Sequence, residues 1–248
     1  REPTMNDLYS GEEAYYGATP EFQADTTGGQ VRYDFTKPIA KPEELLDLEL
    51  GGQFSSERLF GSLNVYWMEF TNELVKSGRV DIFGQPVTGN ARRSRHVGVE
   101  FESNIRIFEG LSCEGNATWS TNRLIHYAMV GDDGLVHALD GNPIAGFPDF
   151  LANLRLTWSE HDWSAAFVLK YVGPFYTDNF ENANNRNDAF TVCNLELLYR
   201  VPIVSDASLN LRAEVRNLFD RLYTLSGEGN TFFPAAERNF LFGLQVKL

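Results

Sequence analysis

No stretch of about 18 consecutive apolar residues occurs anywhere in this chain, which excludes a transmembrane helix. Cysteine is nearly absent. Cys113 and Cys193 are the only two in 248 residues, too few and too far apart for a disulfide framework or a thiolate metal site. Basic residues are also short: 21 Lys and Arg stand against 34 Asp and Glu, a net charge of −13. A surface that dark in negative charge argues against a nucleic-acid partner. The start of the chain lacks the basic-then-apolar pattern of a secretory leader. Arg1-Glu2-Pro3-Thr4 reads as interior sequence, and the chain is expected to be a mature-protein fragment or a processed half.

What is present is apolar and aromatic. Hydrophobic residues make up 43% of the chain and aromatics 13%, with 19 Phe and 10 Tyr, so the chain is not disordered. Mean hydropathy is nevertheless −0.29, which fits strands that are apolar on one face only.

Residues 1–40 show Gly, Thr, Asp, Glu and Tyr without sustained periodicity and read as loop. From Glu44 the pattern changes to strict alternation. Leu46, Leu48 and Leu50 alternate with Asp47 and Glu49; Val97, Val99 and Phe101 with Gly98, Glu100 and Glu102. Leu154, Leu156 and Trp158 alternate with Arg155 and Thr157, and Leu209, Leu211, Ala213 and Val215 with Asn210, Arg212 and Glu214. A period of two marks a half-buried strand. About nine strands of membrane-barrel length are expected, near 44–56, 58–75, 93–108, 111–124, 147–160, 163–177, 189–203, 207–223 and 237–248. In the second, Tyr66 and Met68 compete with Val65 and Trp67 for the apolar face.

Short turns near 55–57, 109–110, 159–162 and 202–206 alternate with long polar segments near 76–92, 125–146, 178–188 and 224–236. Outer-membrane barrels do this because one set of turns is tight and the other is elaborated. Phe54, Phe108, Trp158 and Trp163 flank the short turns; Trp67, Trp119, Phe175, Tyr176 and Tyr223 lie toward the long loops, where interfacial girdles belong. An odd strand count leaves two open edges, so further strands must complete the cylinder. Plugged transporter barrels have 22 strands, which places about thirteen strands and a plug upstream.

The C-terminal run Arg216-Asn217-Leu218-Phe219-Asp220 with Tyr223, followed by Pro234, Arg238-Asn239-Phe240 and Gly243, closely resembles the end of TonB-dependent outer-membrane receptors. Lys41-Pro42-Glu43 leading to Glu49-Leu50-Gly51, Gln85-Pro86-Val87-Thr88-Gly89-Asn90-Ala91 before His96-Val97-Gly98, Gly146-Phe147-Pro148 and Tyr171-Val172-Gly173 add to the likeness. The family commonly ends in an aromatic residue, whereas Leu248 stands last here.

The resemblance implies an all-β transmembrane antiparallel barrel, with residues 1–43 an extracellular loop and 44–248 the C-terminal barrel wall. It implies an energy-coupled receptor of the bacterial outer membrane that imports a scarce solute, an iron chelate such as a siderophore foremost. The implied partners are the plug and earlier strands, the TonB coupling protein acting through them, outer-membrane lipid and lipopolysaccharide, and an extracellular small molecule. A structural barrel subunit of a larger envelope assembly and a plug-free pore remain as alternatives.

Loop aromatics and histidines are the candidate ligand contacts: Tyr15, Tyr16, His126, His137, Phe180, Phe232 and Phe233. His126 and His137 share a segment with Asp132, Asp133 and Asp140, but without tight spacing these read as solvated groups, and no metal is assigned. Ser94 and His96 share a strand face with no acid partner evident, so no catalytic residue or cofactor is assigned. Cys113 and Cys193 lie three strands apart, roughly 14 Å at the usual strand spacing, beyond disulfide reach.

Overall fold

The computed structural model describes residues 1–10, 19–26, 31–80, 86–131, 134–202 and 208–247. Nine strands form one antiparallel sheet, each paired with its sequence neighbour. They are β1 Glu44–Ser55, β2 Leu59–Val80, β3 Pro86–Phe108, β4 Leu111–His126 and β5 Phe150–Glu160. The remainder are β6 Trp163–Val172, β7 Phe190–Val201, β8 Ser208–Arg216 and β9 Asn239–Lys247. All nine expected strands are present, in the expected up-and-down order.

The pairing register settles the two faces. Leu48 lies opposite Trp67, Trp67 opposite Val97, and Val99 opposite Trp119, so these share one face. That face carries exposed apolar groups along its length: Leu50, Phe101, Leu154, Leu211 and Phe242. In β2 it is Val65 and Trp67 that join it, which sends Tyr66 and Met68 to the other side. There the Tyr66 ring lies across Gly98, its cross-strand partner. A Cβ at Gly98 would stand 2.5 Å from the Tyr66 hydroxyl, so only glycine leaves room for the ring.

The opposite face is polar. Arg155 makes paired bonds to the two oxygens of Glu196 at 3.1 and 3.0 Å, and Arg212 stands 3.6 Å from Glu196 and 3.2 Å from Glu214. Arg216 completes the row at 2.7 Å from Glu214. Two-point arginine–carboxylate contacts fix geometry as well as charge. Apolar outside and polar inside is the pattern of a barrel wall in lipid with a hydrated lumen.

On β3 the apolar side runs from Val97 to Ile107. Ten residues of rise at ~3.3 Å, tilted by about 45°, give a band about 23 Å tall, the height of an outer-membrane barrel's apolar belt. Phe54, Phe108, Trp158 and Trp163 are exposed at the short-turn rim, and Trp67 and Trp119 at the other. Phe175 departs from expectation. It is buried with Val172 and Phe190, and Tyr223 packs on Phe190 with ring centroids 4.6 Å apart, so these rings fill a small core rather than a girdle. Cys113 and Cys193 are free thiols, as their separation requires.

The long segments differ from the expected loops. The stretch 76–92 is largely ladder, with Lys76 opposite Thr88 and Val80 opposite Pro86. At 22 and 23 residues, β2 and β3 are about twice the length a crossing needs, and their hairpin projects beyond the belt. Residues 1–43, read as loop, hold a short helix Met5–Leu8 and a hairpin of Phe22–Asp25 with Arg32–Pro38. Strand β8 stops at Arg216 rather than reaching 223, because Asn217 takes the left-handed conformation at φ 52°.

Among the described strands, β1 pairs only with β2 and β9 only with β8. Residues 1–248 refolded alone in detergent are therefore expected to give no heat-modifiable monomer, since two long edges stay unpaired. A stable closed monomer by mass measurement and gel shift would contradict this.

Candidate functional site

The polar face at the long-loop end is where the sheet does something its strand alternation does not announce. Up to Phe70 the inward residues of β2 are Met68 and Phe70. Asn72 then adopts φ 57°, a conformation that Asn tolerates better than most residues. Beyond it Glu73 and Val75 are buried at 8% and 3% exposure. On β3 the register against β4 slips between Arg93 and Ser94, and Ala91, Ser94 and His96 are all buried.

The two irregularities bring Glu73 against Ser94 and His96. The Ser94 hydroxyl donates to Glu73 Oε2, and His96 Nε2 lies 3.1 Å from Glu73 Oε1. His96 Nδ1 lies 2.7 Å from Asn122 Oδ1, and Asn122 in turn donates to Ser120 at 3.0 Å. The imidazole is held edge-on between Phe70 and Phe147, with centroids 5.3 and 5.1 Å away. Ser94 and His96 thus do have an acid partner, contrary to the sequence reading. The order is Ser–Glu–His, however, so the hydroxyl bonds a carboxylate rather than the imidazole that triad chemistry requires. The cluster works as a polar tie between β2, β3 and β4, in which every member's partner is itself buried.

Above it the long segments fold into a canopy. Val75, Ala91, Leu124, Tyr127, Leu139 and Ile144 form a buried cluster, with Met129 and Phe180 packed on it. Each large apolar side chain so buried contributes about 1.5–3 kcal/mol. Asn179 is fully buried and joins two segments: its Nδ2 donates to the Lys76 carbonyl at 2.5 Å, and its Oδ1 accepts from the Ala145 amide at 2.8 Å. The hairpin Thr224–Glu228 with Thr231–Pro234 reaches the same place. Gly229 donates its amide to the Thr177 carbonyl at 2.8 Å, and Lys76 Nζ pairs with Glu228. The 125–146 segment, which the sequence presents as a long polar loop, therefore carries Leu139 and Ile144 into a shared core; removing all of it would strip Val75 and Leu124 of these neighbours.

Beneath the canopy, on the inner side, lies a cavity of about 630 Å³. Phe70, Glu73, Lys76, Ile144 and Phe147 form one wall and Arg1 and Asp7 another. The volume is that of a small-molecule pocket, and its lining mixes two aromatic rings with charges of both signs.

None of the described residues singled out from sequence as ligand contacts lines this cavity. His137 and Phe180 meet, with ring centroids 5.6 Å apart, and Phe180 is packed against the canopy core. His126 is exposed and lies 3.4 Å from Asp140. Phe232 and Phe233 stay exposed on their hairpin. Tyr15, Tyr16, Asp132 and Asp133 lie outside the described residues. Glu73, Phe70 and Lys76 carry no such signal in the sequence, and Phe147 stands out only within the family-like Gly146-Phe147-Pro148; the one further cue is Asn72 interrupting the alternation of β2.

Glu228 links pH to the canopy. Burial pushes its carboxyl above the usual glutamate value, against the opposing pull of Lys76, and its Oε2 has no hydrogen-bond partner among the described residues. A group whose folded pKa is raised disfavours the folded form above that pKa, and the penalty fades as pH falls through it toward the ordinary value of 4.5. Glu228→Gln is expected to abolish this part of the pH dependence, read as canopy protease resistance across pH 4–8, and to leave resistance at low pH unchanged. A variant that keeps the wild-type pH profile would contradict this.

A polar-lined, apolar-coated antiparallel sheet of this kind is the wall of an outer-membrane β-barrel. The chain belongs to the TonB dependent receptor-like, beta-barrel family, whose model matches residues 1–218. No curated protein matches the chain. Solved structures share the fold at low identity. The ferric-catecholate import receptor Fiu of E. coli K12 is 17% identical, with a TM-score of 0.61 over 95% of this chain and 31% of its own. The siderophore receptor PiuA from Acinetobacter baumannii is 17% identical, with a TM-score of 0.65 over 90% of this chain and 32% of its own. The copper transporter OprC is 21% identical, at 0.62 over 86% and 32%. The chain spans about a third of the length of each. Its place is the outer membrane, as part of a barrel whose cylinder these nine strands do not close.

Proposed function

We propose that this chain forms the C-terminal wall and part of the solute mouth of an energy-coupled receptor, residues 1–43 making an extracellular arm and 44–248 the barrel wall. The solute class is an iron chelate. The observation that carries the reading is the roofed inner cavity, with Phe70 and Phe147 beside Glu73 and Lys76, in a chain of this family. Rings grip an organic chelator and fixed charges orient it. Phe232 and Phe233, exposed on the canopy hairpin, are assigned the first contact. Fiu and PiuA, by their names, handle ferric catecholate and siderophore, which supports the class. OprC supports a second reading, a bare copper ion.

The energy would enter through the plug and the TonB coupling protein, which act on the rest of the receptor. Radiolabelled uptake by cells carrying the full-length receptor tests the reading. Ferric catecholate or ferric citrate should accumulate in a receptor-dependent way that stops when the proton gradient is collapsed. Phe147→Ala should weaken binding about tenfold, the loss of one aromatic contact to the solute of ~1.4 kcal/mol. Uptake of copper without either chelate would move the assignment to the second reading.

A further inference from the structure

His96 occupies a place that only one extra proton completes. It faces inward on β3, opposite Met68 and Asn122, and is buried at 6% exposure. Asn122 donates its Nδ2 to Ser120, which turns Oδ1, an acceptor, toward His96 Nδ1 at 2.7 Å. Nδ1 therefore donates. On the other side Nε2 lies 3.1 and 3.2 Å from the two oxygens of Glu73. A neutral ring has one N–H and one lone pair, so once Nδ1 donates to Asn122 the lone pair of Nε2 meets a carboxylate. One further proton, on Nε2 or on the carboxylate, closes that contact and makes the pair electrically neutral.

Glu73 turns this into a property of the cavity. It lines the wall with Phe70 and Phe147, the two rings that hold the imidazole edge-on, and the Ser94 hydroxyl fixes its Oε2. The cations of the wall are already engaged, Lys76 with Glu228 and Arg1 with Asp7. Glu43 accepts the Leu74 amide at 2.7 Å. Strand β4 faces the ring with Asn122 and Ser120, neither of them ionisable at ordinary pH. Inward positions nearby hold Asp47 and Glu49 on β1, Tyr66 on β2 and Glu100 on β3, and Asp149 follows Phe147 where that segment meets Ser120. None of these groups supplies a cation to Glu73. Loss of the shared proton therefore leaves a carboxylate uncompensated on the cavity wall.

We propose that His96 is a positioning residue of the solute cavity: it holds the Glu73 carboxylate and, by keeping or losing one proton, sets the charge that Glu73 shows the solute. This rests on the cavity being the solute site. An anionic ferric chelate meets a neutral wall while the proton is held and a repelling carboxylate once it is lost. The grip is tight at acid pH and relaxes as the pH rises.

Binding of ferric citrate, and of ferric catecholate beside it, to the full-length receptor in detergent tests this from about pH 6 to about pH 9. Wild type and His96→Gln are measured on the same chelate solutions, so that changes in the chelate cancel in their ratio. Wild type should bind about fivefold more tightly at the acid end, the effect of one unit charge at ~8 Å in a partly hydrated site. The ratio should fall to about one at the alkaline end, where the wild-type proton is lost. Adding Glu73→Gln to His96→Gln should restore the acid-end affinity of wild type at every pH, because it removes the charge. His161→Gln, an exposed histidine at a short turn, should track wild type. A ratio that does not change with pH, or a double variant as weak as the single one, overturns the proposal and leaves the pair a structural tie only. If His96→Gln loses heat-modifiability, Asn122→Ala decides: without the acceptor at Nδ1 the affinity profile should move to lower pH, and an unmoved profile overturns the proposal. Phe147→Ala keeps the two readings apart. If it weakens binding while the ratio stays flat, the solute site stands and the role of His96 falls; failure of both chelates to bind wild type at any pH overturns both.

Discussion

Leu211→Arg is expected to destabilise the assembled barrel by about 2–4 kcal/mol, the cost of a basic side chain on the lipid face near the bilayer midplane. Leu211 sits in the middle of β8, opposite Tyr199 and Leu244, and shares an apolar surface with Trp163, Leu197 and Phe242. Trp163 and Tyr199 stack there at 4.2 Å. An arginine at 211 would have to bend its charge several ångströms to either rim through that surface. The control is Leu198→Arg. Leu198 stands opposite Arg212 and Ser164 on the polar face, where water and nearby Glu196 receive a guanidinium, so a change under ~1 kcal/mol is expected. Urea unfolding of the full-length receptor in lipid vesicles measures both. Equal costs at the two positions, or a larger one at 198, would invert the faces assigned to every strand.

That inversion test is sharp because the faces were legible in the residues themselves. Lipid demands an apolar group at every second position, so Val99, Phe101, Leu154, Leu156, Leu211 and Val215 announce one side and Glu100, Arg155, Arg212 and Glu214 the other. The register bears out each of these assignments. What lies above the belt was less legible, because no solvent imposes a period there. Ile144, Leu139 and Phe180 look like stray apolar residues in polar loops until the chain folds back and Val75 and Leu124 supply their neighbours. Glu73 looks solvent-facing until Asn72 turns the strand over. One local cue does stand above the belt: Gly229-Asn230 between Glu228 and Thr231 is a two-residue hairpin signal, and Gly229 takes a positive φ of 54°.

Asn217→Ala is expected to cost about 2–4 kcal/mol, from three unpaired backbone groups and a left-handed alanine. The family-like run Arg216-Asn217-Leu218-Phe219-Asp220 is explained by this one residue. Asn217 is buried at 4% exposure with φ 52°, and its side chain is saturated. Its Oδ1 accepts from the Arg221 amide at 2.9 Å, while its Nδ2 donates to the Arg221 carbonyl at 2.9 Å and the Ala236 carbonyl at 3.2 Å. Its own amide donates to Asn194 on β7 at 2.9 Å. Asp220 extends the tie by accepting from the Arg238 amide at 2.8 Å, one residue before β9 begins. The knot therefore sets where β8 ends, where the canopy hairpin departs and where the last strand enters. Asn217→Gly separates the contributions: glycine accepts the left-handed conformation freely but makes no side-chain bonds, so it should recover only the ~1 kcal/mol of backbone strain. Asn217→Asp keeps the acceptor for the Arg221 amide but turns a carboxylate oxygen on the Arg221 and Ala236 carbonyls, two acceptors in a buried site, and should fall below alanine. Unfolding midpoints for the three variants in vesicles, ordered Asp below Ala below Gly, would support the assignment. Three equal losses would mean that burial of the site, and not these bonds, holds β8 to β9.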